Sequence, residues 1–189
     1  MSRFDWEWKI REAVERVKTR YDHIGSKTGA PFLALVYPPE IERAFLKEFH
    51  IQLGTIGNEF VIKSVNVLEI TMSVVEELGS ENIVDAMASP MPGSNPESEL
   101  GSMWVSKVVS AIKACAKKKD TEKIVVVLEY LAALYPVSGP RAVMQALWDC
   151  EQSSIDGPVV VLIPGALHEP RVYSFLNQRK EFMYRGDIL

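Results

Sequence analysis

Three apolar runs in this chain break off at proline: Phe32 to Tyr37 before Pro38-Pro39, Ile124 to Tyr135 before Pro136, and Val159 to Ile163 before Pro164-Gly165. A run with no polar alternation reads as a strand buried on both faces, which is what a parallel sheet covered by helices requires. Proline has no N–H to give to a ladder, so each strand is expected to stop there. In an open parallel sheet, ligands bind in the crevice beyond the carboxyl ends of the strands. The candidate site residues are therefore those at or near these ends: Tyr37, Pro38, Tyr135, Pro136, Arg141, Pro164 and Gly165, with Tyr184 and Arg185 from the closing segment.

The stretches between these runs have helical periodicity. Ile10, Val14 and Val17 recur at intervals of three and four among charges, which predicts an amphipathic helix within residues 1–24. Pro38-Pro39 followed by Glu40 and Glu42 suits the first turn of a helix to about Leu53. A second strand is expected from Phe60 to Val65. Asn66 and Glu69 then form a capping box for a helix ending near Gly79, and Ser80, Ile83 and Val84 suggest a short further helix. Residues 89–98, rich in proline and serine, read as an exposed loop, with Asn95-Pro96 opening a long helix through Leu100, Trp104, Val108 and Ile112. Gly139-Pro140 opens another helix, Glu169-Pro170 is read as the start of a short helix to about Asn177, and Glu181 to Leu189 as an edge strand. Alternation of this kind predicts one α/β domain over residues 1–189, with a mostly parallel sheet of about five strands and helices on both faces.

A net charge of −4 gives no global attraction to nucleic acid or to an anionic membrane, so direct nucleic-acid binding is not expected. Cys115 and Cys150 alone build neither a disulfide framework nor a zinc cluster, which fits a reducing cytoplasm. The start, Met1 to Trp8, carries acids and tryptophans where a signal peptide needs an apolar stretch, and no run reaches membrane-spanning length.

Motifs that carry chemistry fail on spacing. Gly25-Ser26-Lys27-Thr28-Gly29 has the composition of a phosphate loop, but its lysine follows serine and the motif precedes a strand, so it reads as a solvated turn. His23, His50 and His168 are far apart, and no strand is followed by a Gly-x-Ser-x-Gly elbow; neither a metal nor a cofactor is expected. Lys117 to Lys119 could grip phosphates, and with the 89–98 loop a DNA duplex, but they already suit the negative end of the helix before them and net charge disfavours the DNA reading. Trp6 and Trp8 fall on roughly opposite helix faces, which leaves one for the core and the other for solvent, a partner or an overlying loop. Asp149, Glu129 and Asp187 show no pairing from spacing alone. At the strand ends, Tyr37 and Tyr135 could present hydroxyls to a groove while Arg141 and Arg185 grip an anion; the other reading makes each tyrosine a lid on the core.

Leu131-Ala132-Ala133-Leu134-Tyr135-Pro136, Gly157 to Gly165, Phe175-Leu176-Asn177 and the closing Met183-Tyr184-Arg185-Gly186-Asp187-Ile188 together carry a resemblance to a known family. The chain resembles the BrxB family of bacteriophage-exclusion (BREX) defence systems, and Val36-Tyr37-Pro38-Pro39-Glu40 is similar to that family's first strand. Its Met183-Tyr184-Arg185-Gly186 departs from the two aromatics and Arg-Ala on which members often close, as in a divergent branch. The resemblance implies a small accessory protein encoded beside an ATPase, a DNA methyltransferase and a phosphatase-like PglZ protein, with no catalytic residues assigned. The expected function is a non-catalytic scaffold contacting the PglZ-like or ATPase component. The alternative is a degenerate P-loop-like nucleotide-binding domain using Arg141 and Arg185 at the strand ends.

Overall fold

The computed structural model describes residues 4–24, 30–117, 122–150 and 157–189, with the side chains of residues 4 and 5 left aside. In chain order the elements are α1 (Phe4–Arg20), β1 (Phe32–Tyr37), α2 (Glu42–Leu53), β2 (Phe60–Asn66), α3 (Val67–Leu78), α4 (Ser80–Ala88) and α5 (Pro96–Ala116). They continue with β3 (Lys123–Glu129), α6 (Pro140–Cys150), β4 (Val159–Glu169), β5 (Val172–Phe175), β6 (Arg179–Phe182) and β7 (Gly186–Ile188).

Five strands form the main sheet in the order β2-β3-β4-β1-β7, and every neighbouring pair in it is parallel. β1 is flanked by β4 and β7, and all six of its residues are buried. Its side chains alternate between two cores. Phe32, Ala34 and Val36 join the core under α3, α5 and α6, whereas Leu33, Leu35 and Tyr37 join the core under α1 and α2. This is the mostly parallel α/β domain with helices on both faces that the alternating pattern predicts. Each fully buried Val, Leu, Ile or Phe contributes about 1.5–3 kcal/mol, so the two apolar layers carry the fold and the helix surfaces add little.

Local signals set most boundaries. Asn66 caps α3 by accepting from the Glu69 backbone N–H at 3.2 Å, and its own side-chain amide donates to Glu69 Oε1 at 2.9 Å. Gly79 ends that helix at φ 82°, a left-handed conformation that favours glycine, and turns directly into α4. Asn95 caps α5 by accepting from Ser98 N–H, with Pro96 in the first turn. Since α5 starts at Pro96, the exposed loop expected over 89–98 is only its first part.

Three expectations are corrected. The run from Ile124 to Tyr135 is not one strand: β3 ends at Glu129, Tyr130 adopts a left-handed φ of 58°, and Leu131–Leu134 form a 3-10 turn. The cause is that Leu131 and Leu134 satisfy their hydrophobicity by dropping into the core under α3 and α6 rather than by extending the sheet. Pro164 does not end β4, which runs on to Glu169. Pro164 pairs with Tyr37, the last residue of β1, so the missing N–H falls on the final rung and interrupts nothing. Finally, Glu169-Pro170 opens no helix. Pro170 and Arg171, the latter at φ 72°, turn the chain into an antiparallel β4-β5-β6 extension, whose second turn has Leu176 and Asn177 both left-handed. The closing segment therefore holds two strands, and β7 is the edge strand of the main sheet.

Among the described residues, no helix is long and apolar enough to cross a membrane. Residues 25–29, with the glycine-rich turn, and Lys118 and Lys119 of the lysine run lie outside the described residues.

Candidate functional site at the carboxyl edge of the sheet

On the α1–α2 side, the apolar layer ends in polar groups where the strands end. Tyr37 closes β1 and is fully buried, its ring stacked on Phe45 at 4.2 Å and its hydroxyl donating to Glu42 Oε1 at 2.8 Å. Burial, and then the Glu42 carboxylate beside it, push the Tyr37 phenol far above its ordinary value, so it stays protonated and donating. Glu129 closes β3 with only 6% exposure. Its Oε1 accepts from the Ser64 hydroxyl at 2.7 Å and lies 2.9 Å from His50 Nε2 on α2. Glu42, Arg43, Lys47, His50 and Tyr130 line an open depression above this cluster.

On the opposite face, Glu181 of β6 is the centre of a second cluster. Its Oε2 accepts from the Tyr173 hydroxyl at 2.8 Å and from the Arg141 backbone N–H at 3.0 Å, and Arg179 Nη1 lies 3.9 Å from its Oε1. Because Pro140 has no N–H, that of Arg141 is the first of α6; a carboxylate there satisfies a helix-end donor and meets the positive end of that helix, which ties the hairpin to α6. Arg179 also donates to the Pro136 carbonyl. Burial, and then the Glu181 charge, raise the Tyr173 phenol well above its ordinary value.

The candidate residues from sequence divide between these places. Tyr37 proves to be a lid, its hydroxyl turned to Glu42 rather than to an open groove, and Pro38 follows it in extended conformation. Tyr135 is 42% exposed and its ring meets Phe175 edge-on at 6.5 Å. Pro136 and Arg141 lie beside the Glu181 cluster, where Arg141 contributes its backbone while its side chain is exposed. Pro164 and Gly165 are buried; a side chain at Gly165 would collide with the Ser174 carbonyl, so the glycine is needed for β5 to approach. Tyr184 and Arg185 do not join them. Gly186 pairs with Phe32, the first residue of β1, which puts Tyr184 and Arg185 at the amino edge of the sheet, where the Arg185 guanidinium lies 4.5 Å from the Trp148 ring centre. Arg141 and Arg185 therefore stand at opposite edges and cannot grip one anion.

Ser64 and Glu181 carry no site signal in the sequence, His50 figures there only as a histidine too far from the others to share a metal, and Glu129 stands without a partner. The usable signal was alternation: Val125, Val127 and Glu129 share one face of β3, and a carboxylate closing an apolar row needs a partner from the elements beside it. Trp6 packs 5.9 Å from the Phe45 ring while Trp8 is 52% exposed, as their opposite helix faces require. Cys115 and Cys150 are both free, and Asp187 meets Arg16 at an exposed 3.4 Å contact.

A buried carboxylate against an imidazole is the orienting half of acid–base machinery, but the Ser64 hydroxyl already donates to the same Glu129 oxygen rather than to His50. Among the described residues, no group of three metal-ligating side chains is assembled. No protein-family model matches the chain, and no curated protein and no solved structure matches it significantly.

Proposed function

We propose that this chain acts in the cytoplasm as a non-catalytic accessory component of a BREX-like phage-defence complex, through protein–protein contacts with a PglZ-like or ATPase component. What supports the reading is that the buried polar groups at the carboxyl edge are matched within the fold: Tyr37 to Glu42, Glu129 to Ser64 and His50, and Glu181 to Tyr173, the Arg141 N–H and Arg179. The resemblance to the BrxB family supplies the biological context. Expressing the whole operon with this chain tagged tests it; a PglZ-like or ATPase protein should co-purify, and recovery of the chain alone would overturn it.

The nucleotide-binding alternative is disfavoured by the β1–α2 junction. Glu40 and Glu42 stand in the first turns there, where a phosphate would have to sit, and two carboxylates repel the anion that the helix end would otherwise attract. Nucleotide with magnesium at 100 times a genuine dissociation constant would stabilise the fold by about 2.7 kcal/mol. We expect no shift in thermal unfolding with any nucleotide.

A further inference from the structure

From Ser64 to Ser106 the chain has no Lys, Arg or His, and it places Met72, Met87, Met91 and Met103 in this stretch, all of them exposed. α4 has no buried residue, although Ile83 and Met87 give it an apolar side. That side faces α5 across an open groove whose apolar lining includes Leu78, Ile83, Met87, Leu100 and Met103, with Glu99 at its margin. Glu81 and Asp85 on α4 and Glu97 on α5 are also exposed, so both helices bring carboxylates to the groove; among the described residues no cation lines it, and Lys107, one turn beyond Met103 on α5, is paired with Glu77 at 3.0 Å.

Methionine surfaces adapt to varied apolar side chains because the thioether is flexible and polarisable. Two helices forming a trough accept a third laid along it, reading apolar anchors at i, i+3/i+4 and i+7. The acidic walls then select the charge of the helix's flanks. We infer that the α4–α5 groove is the docking site for a basic amphipathic helix of a protein partner. This deepens the interaction reading above and rests on it, giving that reading a surface and a partner chemistry.

The test uses the full chain and a labelled lysine–leucine amphipathic peptide, followed by fluorescence anisotropy. The peptide should bind at about 10 μM or tighter and weaken as salt is raised. Met103→Glu, and separately Asp85→Lys, should weaken it by about tenfold at an unchanged melting temperature, while Glu15→Lys on α1 should leave it unchanged. Equal binding of an acidic peptide with the same leucines, or undiminished binding to correctly folded Met103→Glu, overturns the proposal. Concentration-dependent self-association that Met103→Glu abolishes, without peptide binding, assigns the groove to a second copy and also overturns it. The two readings fail separately. Peptide binding in the groove without operon co-purification sinks the defence complex and keeps the groove, whereas co-purification unaffected by Met103→Glu does the reverse.

Discussion

The carboxyl edge of the sheet and the α4–α5 groove handle unmet interactions in opposite ways. At the edge, charge is taken inside and matched: Glu129 and Glu181, exposed by only 6% and 9%, each hold two or more partners, Glu129 from α2 and β2 and Glu181 from its own hairpin and α6. At the groove, apolar side chains are left in water, with Met87 and Met103 each at 37% exposure, and no cation stands among the described side chains that line it. α5 also carries a buried indole N–H, that of Trp104, without a hydrogen-bond partner among the described residues. A matched buried carboxylate rigidifies its neighbours, because losing one partner exposes the desolvation cost of the other. Unmatched apolar surface does nothing for the free chain and becomes useful only when something covers it. The edge thus looks inward to stability and the groove outward to recognition.

Substitutions should separate the two regions by size of effect. Phe45→Ala, which removes a fully buried ring stacked between Tyr37 and Phe49, should cost about 3–5 kcal/mol in urea unfolding. Glu181→Ala strands the buried Tyr173 hydroxyl and the Arg141 N–H, and should cost about 2–3 kcal/mol by the same measurement. His50→Ala, whose side chain is 44% exposed, should cost less than about 1 kcal/mol, since solvent screens that pair. If His50→Ala proved the more costly of the two, the ranking of the two edge clusters would be reversed.

Alkaline unfolding offers a sharper probe of the edge. Tyr37 and Tyr173 are raised above their ordinary value of 10.0, so the folded state keeps protons that the unfolded chain releases. Stability is then fully present below pH 10 and falls as pH rises above it, by about 1.4 kcal/mol per pH unit for each phenol that stays protonated only when folded. Tyr173→Phe should remove one such contribution and flatten the decline measured between pH 10 and 11. The smallest effect belongs to the solvent side of α4: Val84→Glu should change unfolding free energy by no more than about 0.5 kcal/mol, and a larger loss would mean that α4 is held by packing after all.

How much of this was legible in the sequence depended on whether the signal was local. β1 from Phe32 to Tyr37, the Asn66–Glu69 cap and the Asn95-Pro96 helix start match expectation, because a continuous apolar run, a capping pair and a proline in the first turn act within a few residues. Leu131 to Leu134 were absorbed into the preceding strand because no glycine or proline separates them from it; the break is a left-handed Tyr130. Pro170 reads as a helix start because proline serves both there and in turns, and only the pairing of Val172 with Glu169 decides between them. The Glu129 cluster was hidden for another reason. His50, Ser64 and Glu129 meet only after α2, β2 and β3 are assembled, and strand order is not written in any one segment.

The placement of β1 also bears on how the chain reaches this state. Its two neighbours come late: Val159 to Ile163 on one side and Gly186 to Ile188 on the other, after which Leu189 exchanges backbone hydrogen bonds with Ala34 and Val36. During synthesis the most apolar strand emerges before either of its partners and waits while residues 38–158 follow. Its unpaired edges are open to other chains throughout that interval, so folding should be slow and concentration-sensitive, and nascent copies should lean on whatever shields apolar strands in the cell.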